Sequence, residues 1–334
     1  MKVVLVTPEY HQTRGNTVTV RRMSKYLQKS RIETTIVSLT DGQSYDPPLA
    51  ATIVHGFNAY RFGTYWYQVG RPSLPYAVTI TGTDLNHDLF DDEKRQCMIQ
   101  TLDGAEAIHL FNHRGQETLL RQFPRLAGKT VVIPQGVSVL PRSVPPIAKE
   151  AGTCVFLLPA GIRKVKNVPA AISMLDSVHR KHAGIRLWIV GPVIEEEEGK
   201  RVRELIRQNS SWVTYLGEVS FDRMGGLYRQ ADVVLNTSYS EGQSSAILEA
   251  LAHGVPVLAA DNEGNRDVIK HGQTGWLYQN RETFLRYAGR LVTDALLRER
   301  FSRQGQQYVT RHHCPETEAE KLLHMYTSIM RKWQ

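Results

Sequence analysis

Apolar residues follow two alternating rhythms along this chain. Short β-branched runs are each followed by longer stretches whose apolar positions recur at helical spacing, which predicts βα units around parallel sheets. In the first half the runs fall at 3–6, 35–39, 53–55, 78–81, 107–110 and 131–133. Between the first two, TVTVRRMSKYLQKS repeats Val20, Met23 and Leu27 on one helical face. In the second half they fall at 154–158, 187–190, 213–216, 233–235, 255–259 and 276–278. The proline-bearing segment VLPRSVPPIAKEAG interrupts the rhythm and reads as a linker. Beyond Gln279 the pattern is helical. The division expected is therefore 1–145, then 152–311, then a helical segment, 312–334. Two α/β domains imply a cleft between them as the place for a ligand.

Length and composition agree with this division. The 334 residues exceed one small core, and 41% apolar with 22% charged residues is ordinary for a globular chain. Three scattered cysteines without a CxxC pair support neither a disulfide framework nor a zinc ribbon, and suggest a reducing, cytoplasmic setting. The opening MKVVLVTPEYHQ is too short in apolar residues for a signal core, and no run approaches a membrane span. A formal charge of +8 favours anionic partners such as phosphorylated small molecules. Nucleic acid is disfavoured by the lack of finger spacing, an aromatic string or a basic tract. The amphipathic, basic C-terminal segment leaves a weak membrane-surface contact open. Oligomeric state is not legible.

Candidate chemistry gathers around SEGQSSAILEALAHGVPVLAA. Ser244 or Ser245 can cap a helix running through Ala252, and in a parallel sheet its amino end faces the carboxyl edge of the strands. Free N–H groups and the positive dipole end there suit a diphosphate, with Gly242 and Gln243 in the approach loop. Glu249, one turn in, can accept from a diol, and Glu241 from hydroxyls beyond the diphosphate. Taken alone, a glutamate in an amphipathic helix is usually a solvated face residue; Ile247, Leu248, Ala250 and Leu251 make that reading less natural here. Upstream, LLPAGIRKVKNVP ends a strand, turns at Gly161 and presents Arg163, Lys164 and Lys166, which either grip phosphate or form an ordinary basic loop.

In this order the pieces resemble the C-terminal domain of retaining glycosyltransferases of family 4, which carry a glutamate, seven residues and a second glutamate before a Gly-x-Pro-Val run. The resemblance implies the GT-B fold: two doubly wound, Rossmann-like α/β domains facing a central cleft. It implies Arg163 and Lys166 on the donor diphosphate, Glu241 on donor-sugar hydroxyls, Gly242, Gln243, Ser244 and Ser245 as backbone cradle, and Glu249 on the ribose. YLGEV, with Leu216 and Gly217, would read the base, uridine by family expectation. The family's basic pair is usually spaced more widely, so Lys164 and Lys166 both stay open for the phosphate. The N-terminal half offers Gly15 and Asn16 after the first strand, His55 at a strand end and TGTD with Asp84; His55 and Asp84 are candidates for orienting acceptor or sugar, although such residues are often structural.

These motifs are similar to a narrower subgroup, the glycosyltransferase 1 domain-containing proteins and, more distantly, selenosugar synthases. The activity expected is transfer of a sugar, N-acetylglucosamine or another hexose, from a UDP-sugar to a small acceptor. No D-x-D motif closes a strand, in keeping with a metal-independent reaction that needs no cofactor. Alternatives are a selenosugar or thiosugar synthase, a GT-B-like epimerase or phosphorylase, and a non-catalytic nucleotide-sugar-binding partner.

Overall fold

The computed structural model describes residues 1–10, 15–39 and 50–333. The chain divides between two units, one formed by Met1–Gly136 with His312–Gln334 and the other by Val137–Arg311. Each predicted strand overlaps an observed one, shifted at its ends by a residue or two.

In the first unit the strands are β1 (Lys2–Thr7), β2 (Glu33–Ser38), β3 (Ile53–Phe57), β4 (Tyr76–Thr79), β5 (Ala107–Leu110) and β6 (Thr130–Val132). They form one sheet in the order β2-β1-β3-β4-β5-β6, with every pair parallel. Every position of β3, β4 and β5 is buried, as expected for strands covered on both faces. Alternate residues of β1 separate cleanly. Val3 and Leu5 join Val20, Met23 and Leu27 of the helix Gly15–Lys29, whereas Val4 and Val6 join Phe62, Met98 and Leu119 on the opposite face.

The helix Pro315–Trp333 closes the first of these faces with Leu322, Met325, Tyr326 and Ile329. It is fixed by a buried two-pronged pair: Arg22 Nε donates to Glu318 Oε2 at 2.8 Å and Arg22 Nη2 to Oε1 at 2.9 Å. A further polar chain runs through this core. His109 Nε2 meets the Ile133 carbonyl at 3.0 Å, and a carbonyl only accepts, so the proton sits on Nε2 and Nδ1 accepts from Thr79 Oγ1 at 2.8 Å. The Thr79 oxygen then accepts from His55 Nε2–H at 2.7 Å, and His55 Nδ1 accepts the Tyr326 hydroxyl at 2.6 Å. Every donor in the chain has one acceptor, and both rings are neutral.

The second unit holds β7 (Cys154–Pro159), β8 (Ile185–Val190), β9 (Val213–Tyr215), β10 (Val233–Asn236), β11 (Val257–Ala260) and β12 (Gly275–Tyr278). Their order is β12-β11-β10-β7-β8-β9, again wholly parallel. Two apolar clusters cover its faces, one built on Phe156, Leu187 and Val233 and the other on Val155, Leu157 and Val234. Among the described residues no helix is long and apolar enough to cross a membrane.

The expected linker is placed differently by the structure. Leu140 is buried with Tyr228 and Leu248, and a Cβ on Gly225 would lie 2.4 Å from the Pro141 carbonyl oxygen. Lys149 Nζ pairs with Asp232 at 2.5 Å. Residues 137–150 are therefore pinned to the second unit, and the division falls after Gly136 instead of between 145 and 152. Prolines exclude regular secondary structure without excluding close packing, which is why the segment looked loose.

Burial, and for His55 also the neighbouring His109, holds both histidines of the polar chain below their ordinary value of 6.5. Groups lowered on folding in this way contribute stability that is complete above 6.5 and is lost as pH falls below it. The melting temperature should therefore drop between pH 7 and pH 5, and His55→Phe should shallow that drop. An equal acid loss in wild type and variant would contradict the assignment.

Candidate functional site

In the second sheet β7 lies between β10 and β8, while β10 lies between β11 and β7. Strand order reverses at this pair, so the loops leaving β7 and β10 emerge side by side at the carboxyl edge and their following helices diverge, the usual place for a ligand in an open parallel sheet. The sequence sends its basic residues down one loop and its glutamates down the other.

After β7 the chain passes Gly161, where a Cβ would meet Ile194 Cδ1 at 2.5 Å. Arg163 is extended, Lys164–Lys166 form one tight turn, and left-handed Asn167 starts the helix Val168–His179. The two loops are stitched together by Thr237 Oγ1 donating to the Lys166 carbonyl at 2.9 Å and by Tyr239 N–H donating to the Val165 carbonyl at 2.9 Å. Lys164 is exposed and its backbone N–H donates to Glu195. Lys166 turns the other way and places Nζ 2.6 Å from Glu241 Oε1.

Glu241 Oε1 also accepts from Asn236 Nδ2 at 3.0 Å and Ser238 Oγ at 2.7 Å. Burial alone would raise this carboxyl, but Lys166, Ser238 and Asn236 together hold it below the ordinary value, so it is ionised at neutral pH. All three donors converge on Oε1. Gly242 and Gln243 form the bend into the helix Ser245–Ala252, whose first turn has no side-chain cap. Ser244, expected as a cap candidate, faces Asn236 Nδ2 at 3.4 Å instead. Arg163 Nε and Gln243 Oε1 are buried without a hydrogen-bond partner among the described residues. An anion and a hydroxyl are the chemistry that such a donor and acceptor would satisfy.

Glu249 is only 8% exposed, within the helix, and Tyr228 Oη donates to its Oε2 at 2.8 Å. Burial first, then this carboxylate, pushes the Tyr228 hydroxyl well above its ordinary value, so it remains a donor. His253 stacks on Tyr228 and its Nδ1 lies 2.8 Å from the Glu249 carbonyl, securing the end of the same helix. Leu216 and Gly217 follow β9: Leu216 N–H donates to the Ile189 carbonyl, and the Gly217 carbonyl accepts from Gly191 N–H at 2.8 Å. Gly191 has φ 142°, and a Cβ there would lie 2.3 Å from the Ala160 carbonyl oxygen. Only glycine fits.

The first unit places its candidates less favourably. Gly15 and Asn16 open the helix after β1, with Gly15 exposed; residues 11–14 ahead of them lie outside the described residues. His55 is 0% exposed with both ring nitrogens engaged in the core chain, so it presents no atom to a substrate. Asp84 is likewise 0% exposed and accepts from Thr81 N–H at 2.6 Å, Thr81 Oγ1 at 2.9 Å and Ala59 N–H at 2.9 Å. Burial pushes its carboxyl up to about 7. As placed, Asp84 joins the loops after β3 and β4 rather than orienting a sugar. Among the described residues no group of three or more His, Cys, Asp or Glu is arranged to hold a metal ion.

Sequence reasoning missed Asn236, Ser238, Tyr228 and Asn265. The run NTSYSE, which starts on the last residue of β10, is a polar cluster visible in the sequence, whereas nothing local marks Tyr228 or Asn265.

Comparison with known proteins bears on the fold and the family. Residues 144–308 match the family described as glycosyl transferases group 1. A glycosyltransferase 1 domain-containing protein 1 from Xenopus tropicalis is 29% identical over 268 residues, covering 76% of this chain and 77% of that protein. Sucrose-phosphate synthase from Thermosynechococcus elongatus superimposes with a TM-score of 0.82 at 16% identity, covering 99% of this chain and 100% of that one. Anabaena HepE, solved in complex with UDP-glucose, gives 0.80 at 15% identity, covering 98% and 100%. The fold is thus that of the GT-B enzymes. Residues 144–308 match a group 1 glycosyltransferase domain, and over three quarters of its length the chain is similar to a glycosyltransferase 1 domain-containing protein.

Gly191→Ala should lower stability in chemical denaturation by about 2 kcal/mol or more, because both its φ and its neighbour oppose a side chain. Gly289→Ala, in a helix interior with open space around the added methyl, should be neutral or stabilise by up to about 1 kcal/mol. Equal losses at both positions would contradict the geometry given for the turn after β8.

Proposed function

We propose that the protein transfers a hexose or N-acetylhexosamine from a UDP-sugar to a small acceptor, with retention at the anomeric carbon and without a metal ion. The observation that carries this reading is the convergence, at one reversal of strand order, of Arg163, Lys166, the uncapped helix start at Ser244–Ser245 and the ionised Glu241. The likeness in fold to a protein crystallised with UDP-glucose supports it.

In this reading the diphosphate lies against the helix start, its charge met by the dipole, Arg163 and Lys166. Glu249, oriented by Tyr228, accepts from the ribose hydroxyls, and the Leu216–Gly217 backbone lies beside the base. Glu241 Oε1 is filled by three donors, while Oε2 has none among the described residues and accepts from a donor-sugar hydroxyl. Departure breaks the bond from the anomeric carbon to the phosphate oxygen, and the basic groups stabilise the charge that grows there. The acceptor oxygen bonds to the same face and its proton passes to the departing phosphate oxygen. A carboxylate held this firmly is suited to orienting a sugar and poorly suited to attacking it. Three free cysteines fit a reducing, cytoplasmic setting.

The test is turnover of UDP-, GDP- and ADP-sugars against alcohol, thiol and selenophosphate acceptors, read by mass spectrometry and anomeric NMR. UDP-sugars should be used and the product should keep the donor's anomeric configuration. Glu249→Ala should raise the donor KM about tenfold to a hundredfold, the loss of charge-assisted hydrogen bonds to a diol. Glu241→Gln should lower kcat by a comparable factor. Inverted product, or wild-type kinetics in Glu241→Gln, would overturn the reading.

A further inference from the structure

Asn265 lies in the short helix Glu263–Val268, after β11, and is 0% exposed. Its Nδ2 donates to the Ala260 carbonyl at 2.8 Å and to Asn236 Oδ1 at 3.2 Å. The first of these partners is a backbone oxygen, so the Asn265 amide cannot turn over without setting oxygen against oxygen. Asn236 Oδ1 accepts a second donor, the Ser238 backbone N–H at 3.1 Å. Two donors on Oδ1 leave Nδ2 on the other side, where it reaches Glu241 Oε1 at 3.0 Å and Ser244 Oγ at 3.4 Å. The direction of the chain is set from the backbone outward: Ala260 carbonyl, Asn265, Asn236, Glu241.

Asn265 Oδ1 is buried with no hydrogen-bond partner among the described residues. A buried amide oxygen left in this condition is unfavourable, and an apolar side chain of similar size would avoid it. Its two acceptors do not depend on it for satisfaction. The Ala260 carbonyl also accepts from Asn262 N–H at 2.9 Å, and Asn236 Oδ1 retains Ser238 N–H. Packing and hydrogen-bond satisfaction therefore give no reason for asparagine here. The orientation of Asn236 does.

We propose that Asn265 is a positioning residue for sugar transfer, which acts by holding the Asn236 amide with Nδ2 toward Glu241 so that Glu241 Oε2 is presented to the donor sugar. This rests on the reading of Glu241 as a ligand for sugar hydroxyls. A turned Asn236 would set its oxygen against the Glu241 carboxylate, removing one of the three donors on Oε1 and adding repulsion. The carboxylate would lose both its fixed aim and part of what keeps it ionised.

Asn265→Leu tests this, because it removes the donor and the orphan oxygen together while keeping the volume. Its melting temperature should stay within a few degrees of wild type. The Glu241 titration, followed by carboxyl-carbon NMR and identified by its loss in Glu241→Gln, should move up by about one pH unit. The donor KM should rise about tenfold, and the acid limb of kcat/KM should move up with the titration. A titration and KM equal to wild type would overturn the proposal, as would a loss of stability with an unmoved titration. If the leucine variant does not fold, Asn265→Ala is read in the same way. The titration needs no turnover: a wild type that uses no UDP-sugar contradicts the transferase reading, while an unmoved titration contradicts the role of Asn265.

Discussion

A wholly parallel sheet sends the carboxyl ends of all its strands to one edge, and where the strand order reverses two adjacent loops have no helix between them. In the second unit that constraint falls between β7 and β10. It brings a lysine and a glutamate 75 positions apart in sequence to 2.6 Å, with a helix start beside them. Charge, dipole and hydrogen-bonding capacity at the site all follow from this one piece of topology. Glu241 would be an unfavourable buried charge without Lys166, and Lys166 would be a solvated surface lysine without the loop that carries Glu241.

The two units treat buried polar groups in opposite ways. In the first, every ring nitrogen and hydroxyl along Tyr326–His55–Thr79–His109 is partnered, and Arg22 and Glu318 satisfy each other. Such saturation fixes a helix onto a sheet and leaves nothing to offer a ligand. In the second, Arg163 Nε, His179 Nδ1, Gln243 Oε1 and Asn265 Oδ1 are buried without partners among the described residues. Of these, Arg163 Nε and Gln243 Oε1 belong to the two loops of the candidate site and are the groups that another molecule would satisfy.

Much of the fold was legible because parallel strands announce themselves as short apolar runs and the helices between them keep their own period. The local frame of the proposed diphosphate site was legible because its parts lie close in sequence: a strand end, a bend and a helix start within ten residues or so. What was not legible depends on partners remote in sequence. A polar residue at the end of an apolar run looks the same whether it faces solvent or is tied inside the core, and His55 and Asp84 proved to be of the second kind. Which of Lys164 and Lys166 meets Glu241 depends on the turn that points one outward and the other inward. Asn265 carries no local pattern at all. Its meaning comes from an amide orientation passed from a backbone carbonyl through Asn236.

The central claim is that the amino end of the helix Ser245–Ala252, with Arg163 and Lys166 beside it, is a diphosphate site. A crystal structure of the protein with UDP tests it most directly. The account requires the β-phosphate within hydrogen-bonding distance of the Ser244–Ser245 backbone and of Arg163, with the ribose hydroxyls on Glu249. Density for UDP elsewhere, or a diphosphate directed away from that helix, would contradict it.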